Sequence, residues 1–207
     1  MNNETLSQPT NIMTKISQDV SNFMCNLRKT LNDIVNSYKF KQWTACFELY
    51  KRKYTKEGID SILNTWSNYN FLDKRISVLK ECLYTFNDGY HSASTCLLFT
   101  QIEGIINDHC NKKNSTSELK KEINIIVDIK YSDDEDAKYF FKDVVTNFLY
   151  ENYNNYGEDC PEFSRHSIIH GYDTSYGFDF YNLILLELLS VIIDVIYINK
   201  NKKYEKD

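Results

Sequence analysis

Residues 178–199 read FDFYNLILLELLSVIIDVIYIN. Wound as a helix, this stretch is apolar almost all round, apart from a narrow stripe at Glu187, Ser190 and Asp194. A helix of that kind is buried on most sides, either in a core or in an oligomer interface. As a membrane span it is a poor candidate. The apolar run Leu183 to Ile198 is shorter than the ~20 residues a span needs. It also carries Glu187 and Asp194, and a charge at mid-bilayer costs about 2.5–3.5 kcal/mol. The stretch therefore predicts a central helix in an all-α fold.

The segments on its N-terminal side follow the same period. Apolar residues from Ile12 to Val35 recur at helical spacing, which predicts an amphipathic helix over Asn11 to Asn36. Trp43 to Tyr54 is aromatic and ends in Lys51-Arg52-Lys53. Gly58 then interrupts, and a short helix is expected over Ile59 to Trp66. Asn68-Tyr69-Asn70 is a turn and a soft boundary. Phe71 to Phe86 reads as one helix, stopped by Asn87-Asp88-Gly89, and Tyr90 to Cys110 as the next. Ser115 with Glu118 fits a capping box for a helix to about Lys130, and Ser132 with Glu135 fits another for a helix to about Tyr153. Acids at 133–136 suit a helix start. Asn154 to Pro161 is loop. Pro161 opens a short helix that stops at Gly171, a natural residue just past a helix end. These elements divide the chain into an N-terminal helical extension (1–70), a helical bundle (71–199) and a polar tail (200–207).

Composition narrows the function. The net charge is −5, whereas general nucleic-acid binders carry a positive excess. Any RNA contact must come from a local patch or an oligomer interface. Among the 24 cations only Arg28, Arg52, Arg75 and Arg165 are arginines, so an arginine here is the more telling for its planar fork. The basic run at 51–53 with Lys56 reads mainly as a solvated face. The six cysteines form no C-x-x-C and no zinc-spaced ladder with histidine, so no metal site and no cofactor is expected. The polar start MNNETLSQPT has no apolar signal segment. Reduced thiols in a cytoplasm are the expectation, and no membrane association.

One motif carries chemistry: Phe163-Ser164-Arg165-His166-Ser167-Ile168-Ile169-His170-Gly171. Histidine titrates near neutrality and can move a proton. Arginine can grip phosphate oxygens by two bonds as charge builds on them. On an ideal helix Arg165 and His170 point about 140° apart, whereas His166 and His170, four residues apart, share a face. One helix alone therefore makes no compact Arg/His site.

This segment resembles the R-x4-6-H motif of the HEPN superfamily. His166 matches the polar residue that commonly follows the arginine there. The downstream Tyr172-Asp173-Thr174-Ser175-Tyr176-Gly177 with its long apolar helix, and the upstream Leu98 to Gly104, are similar to the flanks of that motif in bacterial members. The resemblance spans roughly 71–199. It implies an antiparallel four-helix bundle and a metal-independent endoribonuclease, active as a homodimer with two motifs facing a shared cleft. His170 would be general acid/base, Arg165 would stabilise phosphate charge, and His166 would position RNA or support the second proton transfer. Glu103, Tyr172 and Tyr176 would line the substrate site. The setting implied is bacterial defence or a toxin with a neutralising partner protein. Arg165, His170 and Tyr172 also fit R-x4-H-x-Y, in which a toxin branch paired with nucleotidyltransferase antitoxins carries the tyrosine as a modification target; this chain is longer than those toxins, and Tyr172 is read as a wall or packing residue. The alternative to the enzyme is a non-catalytic helical module for nucleotide sensing or protein interaction. In a purely structural role, Arg165 and His170 would be tied up in internal hydrogen bonds.

Overall fold

The computed structural model describes residues 47–150, 164–171 and 176–204. The chain divides into two units, Met1–Glu48 and Leu49–Asp207, and the second carries the bundle. The described residues are helical, with no strand among them. The expected helix over Asn11 to Asn36 lies outside the described residues, as do Tyr172 and Pro161.

Residues 47–53 are helical, and α1 is Lys56–Trp66 with Thr55 as its cap, accepting from the Gly58 N–H. Gly58 therefore does not interrupt the chain between helices but sits in the first turn of α1. A β-carbon there would run into the Lys53 carbonyl, so the glycine permits the tight junction. The single helix expected from Phe71 to Phe86 is two elements, a 3-10 turn Asn70–Leu72 and α2, Ile76–Asn87. The break follows from packing. Leu72 is fully buried, Tyr69 stacks on Tyr197 at 3.9 Å, and the Arg75 side chain turns to the next helix.

That helix, α3, is His91–Cys110. It runs antiparallel to α2: the Ser94 hydroxyl donates to the Cys82 carbonyl at one end, and Arg75 Nε donates to Asp108 at 2.7 Å at the other. Asn111, in the left-handed region at φ +51, ends it. Next comes α4, Thr116–Lys130, opened by the Ser115/Glu118 capping box as expected. Glu118 is held at about 2, first by Lys112 and then by Ser115. Ser115→Ala is expected to lower stability by about 1 kcal/mol, read as a fall in the urea midpoint at constant slope; an unchanged midpoint would show that the cap contributes nothing.

The next helix, α5, is Glu135–Val144, and a π-helical turn continues it over Val145–Leu149. Its cap is Asp134, accepting from the Ala137 N–H, and not Ser132. An aspartate two residues nearer the first turn takes the role and adds favourable charge at the helix start. A five-residue helix, α6 (Arg165–Ile169), carries the motif. The last, α7, is Asp179–Tyr204. It extends past Asn199, so residues 200–204 continue the helix and are no separate tail.

Every residue from Asn182 to Ile193 is buried. α7 packs chiefly on α3 and then on α4. Asn182, at its start, donates to the His91 carbonyl at 3.1 Å, and Lys200, near its end, acts electrostatically on His109. The two longest helices therefore run parallel. Length does not exclude a membrane span after all, since residues 179–201 are long and apolar enough to cross one; 78 % of their most apolar window is nonetheless buried inside the protein. The polar stripe is paired: Glu187 accepts from Lys53 at 2.6 Å and from the Tyr54 hydroxyl at 2.8 Å, and Asp194 accepts from Lys130 at 3.1 Å. These contacts, with Tyr50 against Phe141, join residues 49–70 to the same compact unit as the bundle. The division of the chain falls at 48/49 and not at 70.

Burial sets an alkaline limit on this fold. The Cys82 thiol is pushed up to about 12, first by burial and then by Glu81. Burial, then the Glu187 charge, raises the Tyr54 phenol; burial, then the Glu103 charge, raises that of Tyr150. In the unfolded chain such groups ionise near about 8.5 for Cys and about 10 for Tyr. Folded values above unfolded ones mean that the stabilisation is whole below about pH 8.5 and is lost as pH rises through the folded values. The urea midpoint is expected to fall steadily from about pH 8.5 to about 11. A flat profile over that range would contradict the burial of these groups.

Candidate functional site

The motif helix lies on the bundle through Ser164, Ser167 and Ile168, all buried. That leaves Arg165 and His166 half-buried and Ile169 and His170 exposed. The helix closes with the His170 N–H donating to the His166 carbonyl and the Gly171 N–H to the Ile168 carbonyl. Gly171 has φ +75, a conformation that only glycine adopts without strain. The structure thus ends the helix where the sequence pattern placed its stop, while α6 itself begins at Arg165.

Arg165 is held from across the bundle. Its Nε donates to Glu103 Oε1 at 2.5 Å and its Nη2 to Oε2 at 3.0 Å, a two-bond fork of the strong kind. Glu103 stands on α3, and both side chains are shielded, 17 % exposed for Glu103 and 28 % for Arg165. The same helix seats Arg75, which reaches Asp108 and, through Nη1, Gln101 at 3.2 Å. A β-carbon at Gly104 would collide with the Arg75 guanidinium, so the glycine leaves room for it. Two of the four arginines are thus anchored on α3 by its polar residues.

The two imidazoles meet on their common face as the spacing required, with ring centroids 4.5 Å apart and planes at 50°. Burial first, then the charge on His170, then that on Arg165, lowers the His166 pKa. His166 is therefore held in its neutral form, with a lone pair able to accept a proton. The structure brings together Arg165 with Glu103, and His166 with His170.

Tyr176 lies elsewhere along α3. Its hydroxyl accepts from Cys96 Sγ at 3.8 Å, and Cys96 precedes Glu103 by seven residues, about 10 Å of helix rise. Beside it, a β-carbon on Gly177 would strike the Ser92 hydroxyl. Tyr176-Gly177 therefore pins the start of α7 against the start of α3. In the basic run, Lys53 is engaged by Glu187. An open concavity of about 570 Å³ runs along α1, lined by Glu57, Asp60, Ser61, Asn64, Thr65 and Asn68. It contains no motif residue and no cation, so it offers nothing to a polyanion.

One residue at the site escaped the sequence reading. Tyr150, which directly follows the π-helical turn, is 2 % exposed, and among the described residues its hydroxyl has no hydrogen-bond partner. The charges of Glu103 and Arg165 both act on it. Nothing in the sequence singles it out among 16 tyrosines.

Fold and site together define an all-α bundle with an Arg–Glu fork beside a histidine pair. The chain matches no protein-family model, no curated protein and no solved structure.

Proposed function

We propose that this protein is a metal-independent endoribonuclease of the HEPN type, working as a homodimer in the cytoplasm in a bacterial defence or toxin setting. The observation that carries the reading is the pair of imidazoles 4.5 Å apart at the exposed end of a helix whose first residue is Arg165. Cleavage of RNA needs one group to take a proton and another to give one. His166, held neutral, takes the proton from a ribose 2′-hydroxyl as its oxygen attacks phosphorus. The bond from phosphorus to the 5′-oxygen breaks, and His170 gives that oxygen its proton. The products are a 2′,3′-cyclic phosphate and a 5′-hydroxyl. Arg165 stabilises the charge that gathers on the phosphoryl oxygens. Ile169, 40 % exposed beside His170, offers apolar contact to a second copy whose motif would complete the cleft and add positive charge.

The test is to incubate the full chain with total RNA in excess EDTA, beside the Arg165→Ala/His170→Ala double variant. Cleavage by the wild type alone, leaving cyclic-phosphate ends, is the expected result. No cleavage, or equal cleavage by the variant, would refute the reading. A second reading, a non-catalytic interaction or nucleotide-sensing module, is favoured by one observation. Glu103 already occupies the Arg165 fork, which is what an internal staple requires. Under that reading Arg165→Ala lowers stability and RNA stays intact.

A further inference from the structure

The histidine pair has the geometry of a chelate. His166 and His170 are four residues apart, and the His170 N–H donates to the His166 carbonyl at 3.2 Å, so one helical turn fixes their separation. Two histidines at that spacing share one helix face and can take a single metal ion between them. A tetrahedral metal at about 2.0–2.1 Å from one nitrogen of each ring would set the ring centroids about 5 Å apart; they stand at 4.5 Å. A small side-chain turn makes up the difference, and His170, exposed at the end of α6, has room for it. The helix beneath is held to the bundle by Ser164, Ser167 and Ile168, all buried, so the pair stands on a fixed support. Among the described residues, His, Cys, Asp and Glu nowhere gather in threes to make a metal cluster. The pair therefore supplies two ligands, and water completes the coordination. Imidazole suits Zn²⁺, Ni²⁺ and Cu²⁺, whereas Mg²⁺ and Ca²⁺ take oxygen ligands.

We propose that His166 and His170 form a two-ligand site for a divalent transition metal, Zn²⁺ above all, and that metal bound there switches the ribonuclease off. The site stands on the ring geometry alone; the switch rests on the ribonuclease reading. Zinc on the lone pair of His166 leaves that ring unable to take the 2′-hydroxyl proton. Zinc on His170 stands where its transferable proton would be. The metal-free protein is thus the active form, and the metal is an inhibitor.

The experiment titrates the full chain with Zn²⁺ against a chromophoric chelator. It also follows cleavage of a fluorescent oligonucleotide over the same Zn²⁺ range, and again after EDTA is added. His166→Ala and His170→Ala are each expected to weaken zinc binding at least about tenfold, since losing even a residue behind a metal ligand costs about 10- to 100-fold. His109→Ala, at the other exposed histidine, is expected to leave zinc binding unchanged, and Mg²⁺ is expected not to compete. Cleavage should fall by half at the Zn²⁺ concentration that half-fills the site, and return in EDTA. Zinc bound equally by the wild type and by both variants of the pair would overturn the site. Zinc bound at the pair with cleavage unaltered would overturn the switch. If the wild type cuts no RNA in EDTA, the ribonuclease reading fails and the switch with it, while the zinc titration still decides the site.

Discussion

His170→Ala is expected to slow RNA cleavage by about 10²- to 10⁴-fold, the usual contribution of a positioned acid or base, while the melting temperature moves by no more than about 2 °C. His170 is exposed just past the end of α6, and exposed substitutions of this kind stay within about 0.5 kcal/mol. Arg165→Ala is the less clean probe. It strands Glu103 in a shielded position, so a loss of activity would mix chemistry with folding. The pH dependence gives a second readout. A base whose pKa is depressed accepts protons from substrate down to lower pH, so the acid limb of a single-turnover profile should lie below about 6.5, the ordinary value for histidine. Assays on a fluorescent oligonucleotide in EDTA would measure that limb. If His170→Ala cuts at the wild-type rate, the histidine pair is not the proton-transfer device.

Glu187→Ala is the substitution expected to cost most in stability, about 2–4 kcal/mol. It would leave the buried Tyr54 hydroxyl without its carboxylate acceptor, a loss of about 1–3 kcal/mol, and open a cavity on the central helix that adds to it. Lys53 contributes little, because its side chain is 41 % exposed and can turn to water. The pairing can be separated from the packing. Glu187→Leu and Tyr54→Phe should each destabilise when made alone, because the first takes the carboxylate acceptor from the Tyr54 hydroxyl and the second leaves the Glu187 carboxylate with Lys53 as its remaining donor of the two. Together they should come close to wild type, since removing both partners of a buried bond is nearly neutral when shape is kept. Urea midpoints at unchanged slope would give the coupling. Simple additivity of the two singles would mean that Glu187 and Tyr54 do not depend on each other.

Much of the fold is legible in the sequence because the signals involved are local. The Ser115/Glu118 box, the stop at Asn87-Asp88-Gly89 and the left-handed Gly171 each depend on residues within one turn of each other, and each lies where the pattern places it. The shared face of His166 and His170 is likewise a matter of spacing along one helix. Where local signals compete, sequence reading goes astray. Ser132 and Asp134 both suit a cap, and distance to the first turn decides for Asp134. Phe71 to Phe86 has an unbroken helical period, yet the chain breaks after Leu72 so that Tyr69 can stack on Tyr197 and Arg75 can reach Asp108.

The sequence by itself determined that the protein is helical, that its last helix is buried on most sides, and that two imidazoles share one face of a helix. Only the tertiary structure decided who meets whom. Arg165 and Glu103 are 62 residues apart and Tyr54 and Glu187 are 133 apart. Tyr150, on which the charges of Glu103 and Arg165 both act, is unmarked by any motif. Periodicity records which side of a helix avoids water, because that choice is made within a few residues. It carries no record of which distant polar group lies beneath, because that is set when the helices pack and each buried charge must find its partner.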